Sequence, residues 1–203
     1  MQQECLAKTI MTSTRVLGSD LRRMTLALLS LAAILGGCAS LPDDAPVVDQ
    51  LDEQTGLTIA RIGRPLELYV ESPRADPGSR FGFFAPFMTN QMGTRQPFLW
   101  VALPVEPAAN PPKATVTVDG AALTLGDAGH TPDYAGLAKP PYKISTPWFA
   151  TYYFRLDPAM VQTLGNANEI AVQVTEDTRS GPVESRFTLK IGGDPRLRDF
   201  AAH

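Results

Sequence analysis

Few side chains in this 203-residue sequence could carry chemistry, and their scarcity narrows the options. There are two cysteines, Cys5 and Cys38, and two histidines, His130 and His203. So small a set cannot build a disulfide framework or a four-cysteine zinc site. A histidine-dependent hydrolase would have to use His130, with Ser145 or Ser180 as nucleophile and Asp133 or Asp127 to orient the ring. The Gly-x-Ser-x-Gly elbow is missing, and His130 sits in a glycine-rich loop without a visible scaffold, so a solvated loop histidine is expected. One imidazole with scattered carboxylates lacks the spacing of a metal site, and no Gly-x-x-x-x-Gly-Lys-Ser/Thr loop is present to cradle phosphate. No catalytic residue, metal or cofactor is therefore expected, and the chain reads as a non-enzyme.

Binding is the remaining option, and the aromatics are its first candidates. Twelve of the sixteen fall in two windows, 81–100 and 142–154. The segment Phe81-Gly82-Phe83-Phe84-Ala85-Pro86-Phe87-Met88 is too dense in apolar residues for one face of a strand, and Gly82 and Pro86 interrupt it. If it does not cross the core, Phe81, Phe83, Phe84 and Phe87 form an exposed apolar patch of the kind that binds a partner. The long loop 126–143 supplies a second group, His130, Asp133 and Tyr134, as contacts for a small ligand or glycan. A net charge of −3 and a pI near 5.4 exclude the basic face that nucleic acid requires.

These residues need elements to hold them, and the periodicity from Leu57 onward is two. Leu66, Leu68 and Val70 alternate with Glu67, Tyr69 and Glu71, while Phe98–Leu103 is apolar on both faces, as a central covered strand would be. Asp119-Gly120 is a preferred pair for a two-residue type I′ turn. Closing it pairs Val118 with Ala121, Val116 with Leu123 and Ala114 with Leu125. Strands are also expected at 148–156, at 168–176 and around Phe187, Leu189 and Ile191. One short helix stands out, with Asp157 as N-cap, Pro158 at its first position and Gly165 at its end. Seven or eight strands, Pro/Gly-rich connections and one crossover helix predict an all-β fold, an immunoglobulin-like or related two-sheet β-sandwich.

The start of the chain is read as an address. Residues 25–37 form an uncharged apolar run preceded by Arg22 and Arg23 and closed by small residues. At about 1.5 Å per residue it reaches roughly 20 Å, short of a bilayer core of about 30 Å, so it reads as a secretory signal. Met11 is the favoured start, which places residues 1–10 outside the protein. Leu35-Gly36-Gly37-Cys38 resembles the lipobox of bacterial lipoproteins. That resemblance implies cleavage before Cys38 and acylation of its thiol, and more than one acyl chain anchors stably. Ala39 in place of Asp after the cysteine implies the outer membrane, with the protein facing the periplasm.

Three parts are then expected: leader 1–37, lipidated cysteine and acidic tether 38–56, and β-sandwich 57–203. The part from Cys38 on keeps 14 Lys+Arg and 19 Asp+Glu, a net charge of −5, and its one cysteine is spoken for by lipid. Leu51-Asp52-Glu53-Gln54-Thr55-Gly56-Leu57-Thr58, Asn90-Gln91-Met92-Gly93-Thr94-Arg95 and Phe98-Leu99-Trp100-Val101 are similar to a family of uncharacterised proteobacterial lipoproteins, which brings no activity with it. The expected partners are the membrane, through Cys38, and another envelope protein.

Overall fold

The computed structural model describes residues 47–70, 81–105, 112–145, 149–178, 181–190 and 194–203. The chain is an all-β sandwich. Its strands are β1 (Val47–Asp52), β2 (Leu57–Ile62), β3 (Leu66–Val70), β4 (Phe81–Gln91), β5 (Thr94–Leu103), β6 (Ala114–Val118), β7 (Ala121–Ala122), β8 (Ala150–Arg155), β9 (Glu169–Thr178) and β10 (Gly181–Lys190). A 3-10 turn, Pro132–Ala135, lies between β7 and β8, helix α1 (Pro158–Gly165) joins β8 to β9, and helix α2 (Pro195–Ala202) follows β10.

The long strand β4 organises the molecule. One edge pairs with β5, and β5 pairs in turn with β8. The other edge is split between two strands that follow each other in sequence. β2 pairs with the Phe87–Asn90 end and continues the sheet to β1. β3 pairs with the Phe81–Phe84 end and leads to β10, β9, β6 and β7. The break at Gly63-Arg64-Pro65 is thus the corner at which one sheet becomes two. Pro86 lies in β4 opposite this break, where that edge has no ladder partner waiting for an N–H.

The segment 81–88 is therefore a strand after all, and its density has a simple cause. Both faces of β4–β5–β8 are covered, so both must be apolar. Phe84, Leu99, Val101 and Tyr152 share one face, while Ala85, Phe87, Phe98, Trp100 and Tyr153 share the other, and all are buried. Gly82 is needed for close approach: a Cβ there would stand 2.8 Å from Leu103 Cδ2 and 2.9 Å from the Ala102 carbonyl oxygen.

Two local signals produced the expected structures. Asp119 (φ 49°) and Gly120 (φ 83°) form the tight turn between β6 and β7, and Val118 pairs with Ala121. The ladder is shorter than expected, however. Leu123 N–H still donates to the Val116 carbonyl at 2.9 Å, but Leu125 N–H turns back to Leu123, so Ala114 and Leu125 do not pair, while the other edge of β6 pairs with β9 from Ala114 to Val118. In α1 the Asp157 carboxylate accepts from Met160 N–H at 2.8 Å and Pro158 opens the first turn.

Two expectations need correction. The single helix is joined by a second, α2, capped in the same manner: the Asp194 carboxylate accepts from Arg196 N–H at 2.8 Å. Gly165 closes α1 without needing positive φ; its hydrogen face lets α2 in, since a Cβ would meet Ala201 Cβ at 2.6 Å. The tether expected over 39–56 ends earlier, because Val47–Asp52 is a full edge strand and Asp52 builds the turn after it. Its Oδ1 accepts from Gln54 N–H at 3.1 Å, and Gly56 N–H donates to its carbonyl at 2.7 Å. Cys38, Trp148 and Ile191 lie outside the described residues.

Candidate functional site

The aromatic candidates divide. Phe84 and Phe87 are completely buried, Phe87 stacking on Phe98 with ring centroids 5.3 Å apart, so neither offers a surface. Their burial corrects the expected four-residue patch. Phe81 and Phe83 are half-buried and meet edge to face at 5.6 Å, and both touch the ring of Phe149. Phe81 and Phe83, resting on buried Phe149, are what remains of the expected patch.

Loop 126–143 is packed down as a lid on the second face of β4–β5–β8. Tyr142 drives its far end into the corner: its hydroxyl donates to the Ile62 carbonyl at 2.9 Å, and its ring lies 5.0 Å from Trp100 and under the Arg61 guanidinium at 5.1 Å. Burial raises the Tyr142 hydroxyl well above the ordinary phenol range, so it stays a donor. In mid-loop, Ala138 N–H donates to Asp52 Oδ2 at 2.9 Å. At the near end Gly129 forms an isolated antiparallel bridge with Tyr153, with N–H···O distances of 2.9 and 2.8 Å.

Tyr134 is a strut in this lid. Its ring sits over Gly129, where any Cβ would collide, meets Phe98 edge-on at 6.4 Å, and its hydroxyl donates to the Asp127 carbonyl at 3.0 Å. Asp133 is exposed beside it, and its backbone carbonyl caps the 3-10 turn by accepting from Gly136 N–H. His130, expected to lack a scaffold, has one. Its Nδ1 stands 3.1 Å from the Thr151 carbonyl, and the Thr151 hydroxyl donates to the His130 carbonyl, also at 3.1 Å. The imidazole edge then rests on Tyr152 at 5.2 Å. The three expected contacts do not converge, because Asp133 and Tyr134 belong to the sheet-covering side and His130 turns to the strand edge.

At that edge lies a cavity of about 300 Å³, at the small end of ligand sites. It is bounded by Pro112–Ala114 leading into β6, by Leu125–Ala128 and His130 from the loop, and by Tyr152 and Phe154 of β8. Lys113 and Asp127 are exposed in its lining, whereas Tyr152 and Phe154 are buried. The Tyr152 hydroxyl is buried with no hydrogen-bond partner among the described residues. Burial, helped by the Glu176 carboxylate, pushes its pKa up to about 12, so it is an O–H at any physiological pH. Lys113 and Tyr152 carry no sequence motif, and they come to one cavity only through the fold. Among the described residues no three His, Cys, Asp or Glu side chains gather as a metal site, and no helix is long and apolar enough to cross a membrane. Comparison of the chain with protein-family models, with curated proteins and with solved structures finds no match to any of them.

Proposed function

We propose that this chain is a lipid-anchored protein of the bacterial envelope, held at the outer membrane through acyl chains on Cys38 and presenting its sandwich to the periplasm as a non-enzymatic binding module. The observation that carries it is the Leu35-Gly36-Gly37-Cys38 sequence closing an uncharged apolar run, nine residues ahead of the first strand. The partner is another envelope protein, met through half-buried Phe81 and Phe83, which rest on buried Phe149.

The anchor is tested by metabolic labelling with an alkyne palmitate. The wild-type chain takes up the label and partitions into detergent, Cys38→Ser does neither, and labelling retained in Cys38→Ser refutes the anchor. The partner is tested by photocrosslinking in cells from positions 81 and 83. A discrete adduct with one envelope protein, absent from position 187 in the core, supports the interface, and no adduct removes it. A second reading, a small-ligand or glycan-binding lipoprotein using loop 126–143, is favoured by the cavity beside His130.

A further inference from the structure

We propose that Met92 is a modification site, a surface methionine that peroxide converts to the sulfoxide, and a thiol-dependent reductase returns, without disturbing the fold. The proposal is independent of the anchor at Cys38 and of any partner at Phe81 and Phe83. Met92 stands at the tip of the β4–β5 hairpin, and its side chain is fully exposed. The turn beneath it is tightly built. Met92 (φ 49°) and Gly93 (φ 89°) are its central residues, Gln91 pairs with Thr94, and the Asn90 side-chain oxygen accepts from Gly93 N–H at 3.0 Å. The left-handed backbone at the first of these positions favours Asn, Asp or Gly. The β6–β7 turn has Asp119 there, at the same φ, and its Oδ1 accepts from Asn168 N–H at 3.0 Å and from Glu169 N–H at 2.8 Å. Among the described residues the Met92 side chain makes no such bond, so the turn draws nothing from its sulfur.

Oxidation here is a two-electron step. A lone pair on the Met92 sulfur attacks one oxygen of hydrogen peroxide, and the S–O bond forms as the O–O bond breaks. The proton on the transferred oxygen passes to the other oxygen, which leaves as water, so sulfur is oxidised and peroxide reduced. The reductase reverses the step: two thiols become a disulfide, and the sulfoxide oxygen leaves as water. Both reagents must reach the sulfur, so exposure selects the residue. Met88 and Met160, the other methionines among the described residues, are half-buried and pack against the core. A polar sulfoxide there would disrupt apolar contacts, whereas at Met92 it projects into water. The hairpin tip therefore changes from apolar to polar and back while the sandwich stays folded.

The test is a hydrogen peroxide time course on the full-length protein in detergent. It is read by peptide mass spectrometry, with fragment ions separating Met88 from Met92. Met92 is expected to oxidise at least about fivefold faster than Met88 or Met160. Protein carrying the sulfoxide at Met92 alone should keep the Tm of the reduced form. Met92→Asp should remove the fast phase and leave Tm unchanged or higher, as the turn preference requires. A methionine sulfoxide reductase with a dithiol should restore the thioether in the folded protein. Equal rates at the three methionines overturn the proposal, as does a Tm lowered by the Met92 sulfoxide or by Met92→Asp. Reduction that proceeds only after unfolding in urea overturns it as well.

Discussion

At the scale of single residues, two small features carry more than their size suggests. Gly165 sits where α1 and α2 touch. In an exposed helix Gly→Ala stabilises by roughly 0.5–1 kcal/mol, since alanine loses less backbone entropy. Here the added methyl meets Ala201 Cβ at 2.6 Å and the Leu197 carbonyl at 3.3 Å, and overpacking of this kind costs about 1–3 kcal/mol. The clash should win, so Gly165→Ala is expected to lower stability by about 1–2 kcal/mol in urea unfolding. A gain would show that the helices simply move apart.

Asp52 is the other. The hydrogen bond it accepts from Ala138 N–H lowers its pKa more than any other contact, desolvation opposes it as the next largest effect, and Gln54 and Thr55 add further lowering. A carboxyl whose folded pKa lies below its unfolded value contributes stability that is full above the unfolded pKa, near 3.9, and is lost as pH falls through the folded pKa. Wild-type Tm should therefore decline as pH drops below about 4, and Asp52→Asn should make that decline shallower. An identical acid slope in the variant would remove Asp52 from the account.

At the scale of elements, what was legible from sequence is what is local. The β6–β7 turn and the α1 cap are each fixed by neighbours within four residues, Asp119-Gly120 and Asp157-Pro158. Helix α2 shows the same Asp-Pro opening at Asp194-Pro195 and was readable in principle, but its short, charged Pro-Arg-Leu-Arg-Asp run hides the two buried residues, Leu197 and Phe200. β1 hid for a different reason: as an edge strand with Gln50 and Leu51 exposed, it has no clean alternation to read. In β4 the period-two signal vanished because both faces are covered. The candidate cavity was beyond reach, since Lys113 and Tyr152 are neighbours only through the fold. The lid is the element that most changed meaning, from a free binding loop to a cover over Trp100 and Phe98. Hydrogen exchange tests that role directly. The amides of Gly129 and Tyr153, which bond to each other's carbonyls, should exchange far more slowly than the exposed amides of Gly126 and Asp127. Equal, fast exchange along the loop would mean that the lid is not seated.

At the scale of the whole molecule, the split pairing along β4 has a thermodynamic consequence. A sandwich with two independently bordered sheets could lose one before the other. In this chain the strand that pairs with β2 is also the strand that pairs with β3, and β4, β5 and β8 are buried on both faces, the second face under loop 126–143. Losing the cover of either face would expose Phe84, Leu99 and Val101 on one side or Phe87, Trp100 and Tyr153 on the other. Each of these large side chains forfeits roughly 2–3 kcal/mol on exposure, so a half-unfolded form loses more than a domain of this size can spare. A single cooperative transition is therefore expected. Far-UV circular dichroism, which follows the strands, and near-UV dichroism, which follows the packed aromatics, should give superimposable urea curves. Separated midpoints would show that the corner at Gly63–Pro65 is a boundary between two folding units instead of a bend within one.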